Sequence, residues 1–282
     1  MKRLNGFKDS LEYIEDNLRG DIDYDIVARK AMLSKFYYFR MFQIVTGTTL
    51  AEYIRNRKMS LAAKEIKETG QRILDIALSY GYGSQEAFSR AFKAVQGITP
   101  AQVRKPAAKL KAYPPISFQL QLKGDVEMDY SIVKKDSIGL LGISRPISSQ
   151  GGTNFKEIPL FWQETMQDGT WQKLMPIADD KKYPGCFGVC MNYDSSEDKF
   201  DYVIGVSSKA ESGDYKSFSI PADTYAVFGP VALDTLQDLW KRIFSEWLPA
   251  TEYEIADGPQ IEYYPPTNDN QVVCEVWIPI KK

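Results

Sequence analysis

An all-α unit followed by an α+β unit is the fold class that this sequence predicts, and three observations carry it. Helical periodicity punctuated by Ser and Gly fills roughly the first 105 residues. Past about Asp125, short runs rich in Val, Ile, Tyr and Phe alternate with turn residues, which is the signature of strands. All five tryptophans lie beyond residue 112. The expected organisation is a twin helix-turn-helix unit over 1–107, a linker over 108–124, and a second domain over 125–282 built from two β-α-β-β repeats on an antiparallel sheet.

In the first unit, Leu11, Ile14 and Leu18 recur at three- to four-residue spacing and predict a helix over 7–18. Further helices are expected over 25–32, 34–45, 50–68, 73–80, 84–95 and 100–104. Ser34 and Ser84 stand where an N-cap belongs, and Gly70, Gly81 and Gly97 where helices end. The stretch Pro106–Pro115 lacks periodicity and reads as linker. Strands are expected over 130–134, 138–144, 185–193, 201–207, 216–220, 225–230, 261–264 and 272–278. Amphipathic segments over 156–168 and 232–246 interrupt them, and Gly151-Gly152 reads as a loop. The order strand, helix, strand, strand occurs twice, from Ser137 and from Asp223. Two such units predict a curved antiparallel sheet with helices on one face and a cleft between the halves.

Composition removes several classes of function. The 282 residues contain no histidine, so Ser-His and Cys-His triads, His-ligated zinc and His-based proton transfer are excluded. There is no Gly-rich phosphate loop. Three cysteines are too few for a disulfide framework, and Cys186 and Cys190 read as small buried apolar groups. No metal, cofactor or catalytic constellation is expected, and the protein is expected not to be an enzyme. No apolar run approaches the roughly 18 residues of a membrane span, and the first residues lack a signal-peptide core. The cytoplasm is the expected compartment. The formal net charge of −2 hides an asymmetry. Residues 1–112 hold 20 Lys and Arg against 12 Asp and Glu, a net of +8, whereas residues 113–282 hold 15 against 25, a net of −10. A basic half beside an acidic half suggests that one part meets a polyanion.

A helix-turn-helix needs a support helix, a tight turn, and a recognition helix whose first turns reach base edges. The pattern occurs twice, over 26–42 and over 73–92. In both, a small residue (Ala28, Ala77) sits four positions before the turn. In both, Ser (Ser34, Ser84) opens a helix that carries Arg six residues on (Arg40, Arg90) and Phe two after that (Phe42, Phe92). About 19 residues of connecting helix span roughly 28 Å, against roughly 34 Å between successive major grooves. One chain could therefore address two grooves, and DNA binding as a monomer is the expectation.

These segments resemble the DNA-binding region of the AraC/XylS family. The resemblance rests on "LEYIEDNL", "SKFYYFRMF", "TGTTLAEYIRNRKMSLAAKEIKET", "ILDIALSYGYGSQEAFSRAFK" and "GITPAQVRK". It implies a regulator of transcription that binds double-stranded DNA and acts as an activator, with RNA polymerase as a further partner. It implies base contacts from Phe36, Phe39 and Arg40 in the first motif and from Gln85, Glu86 and Arg90, beside the capping Ser84, in the second. Arg suits guanine and Gln suits adenine. Lys35, Tyr37, Arg55 and Lys93 are expected at phosphates. Two departures stand out. Met32 occupies the turn position that is usually glycine, at a cost of roughly 1 kcal/mol for a left-handed backbone, so distortion of the first turn is expected. Phe36 and Phe39 are apolar, able to touch thymine methyls or to pack inward, and inward packing is the expectation for Phe39.

The second half resembles the GyrI-like effector-binding fold of Rob-type and multidrug-sensing regulators, on "SFSIPADTYAVFGP", "LWKRIFSEWLPATEYE", "GPQIEYY" and "CEVWIPIKK". The resemblance implies a glutamate on a central strand at the floor of an aromatic cleft, here Glu262. Strand alternation places Tyr264 on the same face, and Trp162, Phe187, Tyr193 and Tyr225 are candidate walls. A buried carboxylate is costly unless paired, and aromatic faces attract cations. A small lipophilic cation is thus the expected effector. Two alternatives stay open: a module for a protein partner of polymerase or gyrase type, and a hydrolase using Glu262 as base.

Overall fold

A computed structural model describes residues 2–117, 127–148, 153–194, 199–210, 213–267 and 271–282. Gly151-Gly152 and linker positions 118–124 lie outside the described residues. Contacts between Cα atoms divide the chain into two units, Met1–Tyr38 with Thr48–Gln121, and Phe39–Gly47 with Leu122–Lys282.

The helical elements are α1 (Lys2–Asp16), α2 (Tyr24–Lys30), α3 (Lys35–Thr46), α4 (Leu50–Glu68), α5 (Ile73–Ser79), α6 (Gln85–Gln96) and α7 (Pro100–Val103). The starts of α2, α4 and α6 are fixed by side-chain caps: Asp23 Oδ1 accepts from the backbone of Asp25 and Ile26, Thr49 Oγ1 from Glu52, and Ser84 Oγ from Ala87. The α4–α7 part shares one core, where Met59, Ala62 and Ile66 of α4 meet Ile76 and Ala77 of α5, Phe88 and Phe92 of α6, and Val103 of α7. The two helix-turn-helix turns have the same hydrogen bonds. Leu33 N donates to Ala28 O and Met32 N to Arg29 O, as Tyr82 N donates to Ala77 O and Gly81 N to Leu78 O. Met32 takes a left-handed φ of 56° and Gly81 one of 81°. The first turn is therefore strained at Met32 but not distorted.

The Pro-rich stretch after α7 is tied to the helices rather than free of them. Gln96 exchanges two hydrogen bonds with the backbone of Lys111, Ser60 Oγ accepts from Tyr113 N, and Tyr53 Oη accepts from Ile116 N. Leu110 and Tyr113 pack on the α4–α7 core. Arg57, 8% exposed at its side chain, bridges Glu15 of α1 and the Tyr113 carbonyl.

The second unit is a sheet with helices. Its strands are β1 (Tyr130–Lys135), β2 (Ile138–Ser148), β3 (Cys186–Asp194), β4 (Lys199–Ser207), β5 (Lys216–Ile220), β6 (Asp223–Ala232), β7 (Glu254–Ile255), β8 (Gln260–Tyr264) and β9 (Val273–Lys281). Helix α8 (Asn154–Gln167) and the short α9 (Thr170–Leu174) follow β2. Helix α10 (Leu236–Arg242) follows β6 and continues as a π-helical stretch, Ile243–Trp247. The strand order is β1-β6-β9-β8-β3-β4-β2-β5, antiparallel throughout, with β7 on β9. Both β-α-β-β repeats are present, as β2-α8-β3-β4 and β6-α10-β8-β9, and they join at β3 and β8. The outer strands are exchanged: β1 precedes the first repeat but pairs with β6, and β5 precedes the second but pairs with β2. One face of the sheet carries an aromatic core of Tyr183, Phe187, Tyr225, Tyr263 and Trp277. Ile138 and Ile220, from β2 and β5, join the same cluster as Tyr225 of β6, so the two ends of the sheet order curl toward each other.

Candidate functional site

Helix α6 presents two unlike faces. Phe88 and Phe92 are fully buried, whereas Glu86, Arg90 and Lys93 are exposed on the opposite side, Gln85 is exposed at the first position of the helix, and Ser84 caps its start. Three exposed polar side chains on the first two turns of a capped helix, with Lys93 one turn further on, are what a groove-entering helix needs. Arg55 on α4 is exposed as well. Helix α3 differs. Phe36 and Tyr37 are buried at 7% and 4%, and Lys35 lies 3.9 Å from Asp25. Between the two phenylalanines the inward packing falls to Phe36, while Phe39 is half-buried. Arg40, on the half of α3 that groups with the sheet unit, is 11% exposed at its side chain and does not face solvent.

In the sheet unit a cavity of about 760 Å³ opens over β8, β3 and β4, between side chains of α8 and α10. Glu262 lies on its floor. Three donors converge on this carboxylate: Trp240 Nε1 at 3.0 Å, Tyr264 Oη at 2.9 Å and Tyr202 Oη at 3.4 Å. Trp162 Nε1 in turn donates to Tyr202 Oη at 2.8 Å. The rings of Trp162 and Tyr264 meet edge to face at 5.3 Å, and Trp171 extends the wall from Trp162. Burial, and next the Glu262 charge, push the phenols of Tyr202 and Tyr264 well above their ordinary range. Both phenols therefore stay protonated and donate to Glu262. Burial also pushes the Cys186 thiol up to about 12 and the Cys190 thiol up to about 11, so both sulfurs are inert thiols. The remaining carboxylate contact is Arg40 Nη2, 3.9 Å from Glu262 Oε1.

Of the expected cleft residues, Trp162, Glu262 and Tyr264 line the cavity. Phe187 and Tyr225 do not. They point to the other face and belong to the aromatic core, because Gly188, and not Phe187, stands opposite Glu262 in the β3–β8 register. Tyr193, near the end of β3, is half-buried and also lies off the cavity lining. Sequence reasoning missed Trp240, Tyr202 and Trp171. The signal for Trp240 was present: it shares the apolar face of α10 with Leu236 and Leu239, and an indole N–H placed there needs an acceptor. No group of His, Cys, Asp and Glu suited to a metal occurs among the described residues, and no helix among them is long and apolar enough to cross a membrane.

Residues 131–280 match the family described as integron-associated effector binding protein, and residues 27–106 match a helix-turn-helix domain. The transcriptional regulator Rob of Salmonella typhimurium is 28% identical over 301 residues, covering 100% of both chains. The regulatory protein SoxS of the same organism is 44% identical over 94 residues, 33% of this chain and 88% of that one. A protein solved with bound tetraphenylphosphonium is similar over 55% of this chain and 94% of its own, at 21% identity and a TM-score of 0.48. The chain belongs to the AraC/XylS family of DNA-binding transcription regulators, and its second half is a GyrI-like domain of the integron-associated effector binding protein family.

Proposed function

We propose that this regulator senses a small lipophilic cation in the sheet unit and reads its operator through α6, with Gln85, Glu86 and Arg90 at bases and Arg55 and Lys93 at phosphates. The observation that carries the sensing is Glu262. Its carboxylate accepts from an indole and two phenols, in a cavity whose lining includes Trp162, Trp171, Tyr264 and Trp240. A flat or propeller-shaped cation gains both the ion pair and the ring faces. A neutral analogue of equal size gains the rings alone. Activation, a contact with RNA polymerase and binding as a monomer complete the proposal.

The test is a titration of the full chain with tetraphenylphosphonium and with neutral triphenylphosphine oxide, followed by tryptophan fluorescence, beside Glu262→Gln. Saturable binding of the cation, lost in the variant and weak for the neutral compound, supports the reading. Equal binding of both compounds by both proteins would leave an apolar pocket without charge selectivity. Absence of binding would turn the domain toward a protein partner.

A further inference from the structure

The carboxylate at the cleft floor already faces a cation belonging to the chain itself. The Arg40 guanidinium carbon lies 4.2 Å from the ring centroid of Trp240, and its Nη2 lies 3.9 Å from Glu262 Oε1. Charge and an aromatic face are the two features expected to hold a lipophilic cation, and Arg40 uses both.

As a permanent partner, Arg40 is poorly served. A guanidinium carries five donors in a fixed fork and is strongest in a bidentate carboxylate pair near 2.8 Å. Here the ion pair is long, Nη1 has a thiol sulfur (Cys190 Sγ, 3.3 Å), and the buried Nε has no acceptor among the described residues. Glu262, by contrast, keeps three donors that do not depend on Arg40. The site is thus complete as a carboxylate pocket, and Arg40 is a loosely held occupant of it.

Arg40 also stands at the position of α3 that matches Arg90 of α6, six residues after the helix-opening serine. One guanidinium cannot pair with Glu262 and with a base at the same time. We propose that Arg40 is an internal competitor for the cation site: a lipophilic cation takes its place on Glu262 and Trp240 and releases it for DNA. This deepens, and rests on, the cation-sensing reading of the cleft. Effector and operator then favour each other because each requires Arg40 to leave the carboxylate, and the coupling is reciprocal.

Two roles of Arg40 give opposite signs. A competitor, once removed, lets the ligand bind more tightly. A mere wall of the cavity, once removed, lets it bind more weakly. The experiment is calorimetric titration of tetraphenylphosphonium into wild type, Arg40→Met and Arg40→Gln, with thermal melting to verify that each variant is folded. Met keeps the length and apolar area of the stem. Both variants are expected to bind roughly 5- to 50-fold more tightly, within the usual span of coupling between two sites. Affinity unchanged or reduced in both folded variants overturns the competition and leaves the cation site standing. No binding by wild type or either variant overturns both. A second arm uses a duplex selected by wild type from a random-sequence pool. The cation should tighten binding of wild type to this duplex and leave Arg40→Met unaffected. An equal effect on both proteins refutes release of Arg40 as the coupling.

Discussion

Gly188→Ala tests the architecture beneath the cleft without touching the carboxylate. Gly188 stands opposite Glu262 across β3 and β8. A Cβ added there falls on the Tyr202 hydroxyl, 3.1 Å from Tyr202 Cζ and 3.3 Å from Trp162 Cζ2. Tyr202 is 1% exposed and lines the cavity, so its ring must tilt toward that space. Overpacking of this kind costs about 1–3 kcal/mol. Displacing the hydroxyl also strains its bonds to Trp162 and Glu262, each contributing about 1 kcal/mol. Together the loss is about 3–5 kcal/mol. Because all five tryptophans lie beyond residue 112, their fluorescence reports unfolding of the sheet unit and not of the helical one. A fall of roughly 1 M or more in the urea midpoint is expected, together with weaker binding of tetraphenylphosphonium. A variant with the wild-type midpoint and wild-type affinity would refute the packing argument, since the new methyl would have been accommodated at no cost.

Other consequences follow from the same geometry. Arg90→Ala should weaken operator binding by about 1–3 kcal/mol and relax specificity at one position, whereas Lys93→Ala should weaken all duplexes alike and flatten the salt dependence, as mobility-shift titrations would reveal. Arg57→Met removes one partner of a mostly buried pair with Glu15 and frees the Tyr113 carbonyl. Breaking such a pair costs about 2–4 kcal/mol once the partial exposure of Glu15 is allowed for, readable as loss of helical circular dichroism at lower denaturant. Gly81→Met should cost about 1–2 kcal/mol, since it imposes on the second turn the left-handed strain that Met32 already bears in the first. Cys186 and Cys190, raised by burial to about 12 and 11, should resist iodoacetamide at pH 8 until the protein unfolds; prompt labelling under native conditions would contradict their burial.

What the sequence disclosed, and what it hid, divides by the range of the interactions involved. Helix α4 was legible to the residue, over 50–68, because its cap at Thr49 and its periodicity are local. The β-α-β-β repeats were legible for the same reason. Glu262 and Tyr264 could be placed on one face because they lie two apart on one strand. Phe187 and Tyr225 could not be placed, because their face depends on register between strands distant in sequence, and a shift of one residue reverses it. The strap over Lys111–Ile116 was hidden likewise. Nothing in its own pattern reveals that Gln96, Ser60, Tyr53 and Arg57 wait for its backbone groups. Arg40 was read correctly as a member of a helix-turn-helix pattern, yet no local signal could show that a carboxylate more than 200 positions later would face it.

The exchanged outer strands make the cleft a joint product of both repeats. Because β1 pairs with β6 and β5 with β2, each repeat takes its outer strand from the segment that precedes the other. The cavity at their junction draws on both: Trp162 and Tyr202 come from the first repeat, Trp240, Glu262 and Tyr264 from the second. Each repeat sends one helix tryptophan down to a polar partner, Trp162 to the Tyr202 hydroxyl and Trp240 to Glu262. The two halves differ at the central strands. Glycine stands where a side chain would face Glu262, and the space it leaves is filled by the Tyr202 hydroxyl, which turns toward the carboxylate. A second carboxylate at 188 would oppose the first directly across the pair and repel it. A larger apolar residue would expel Tyr202 and leave Trp162 Nε1 without its acceptor. A nearly symmetric frame thus presents a single negative charge, ringed by donors and aromatic faces, at the place where the two repeats meet.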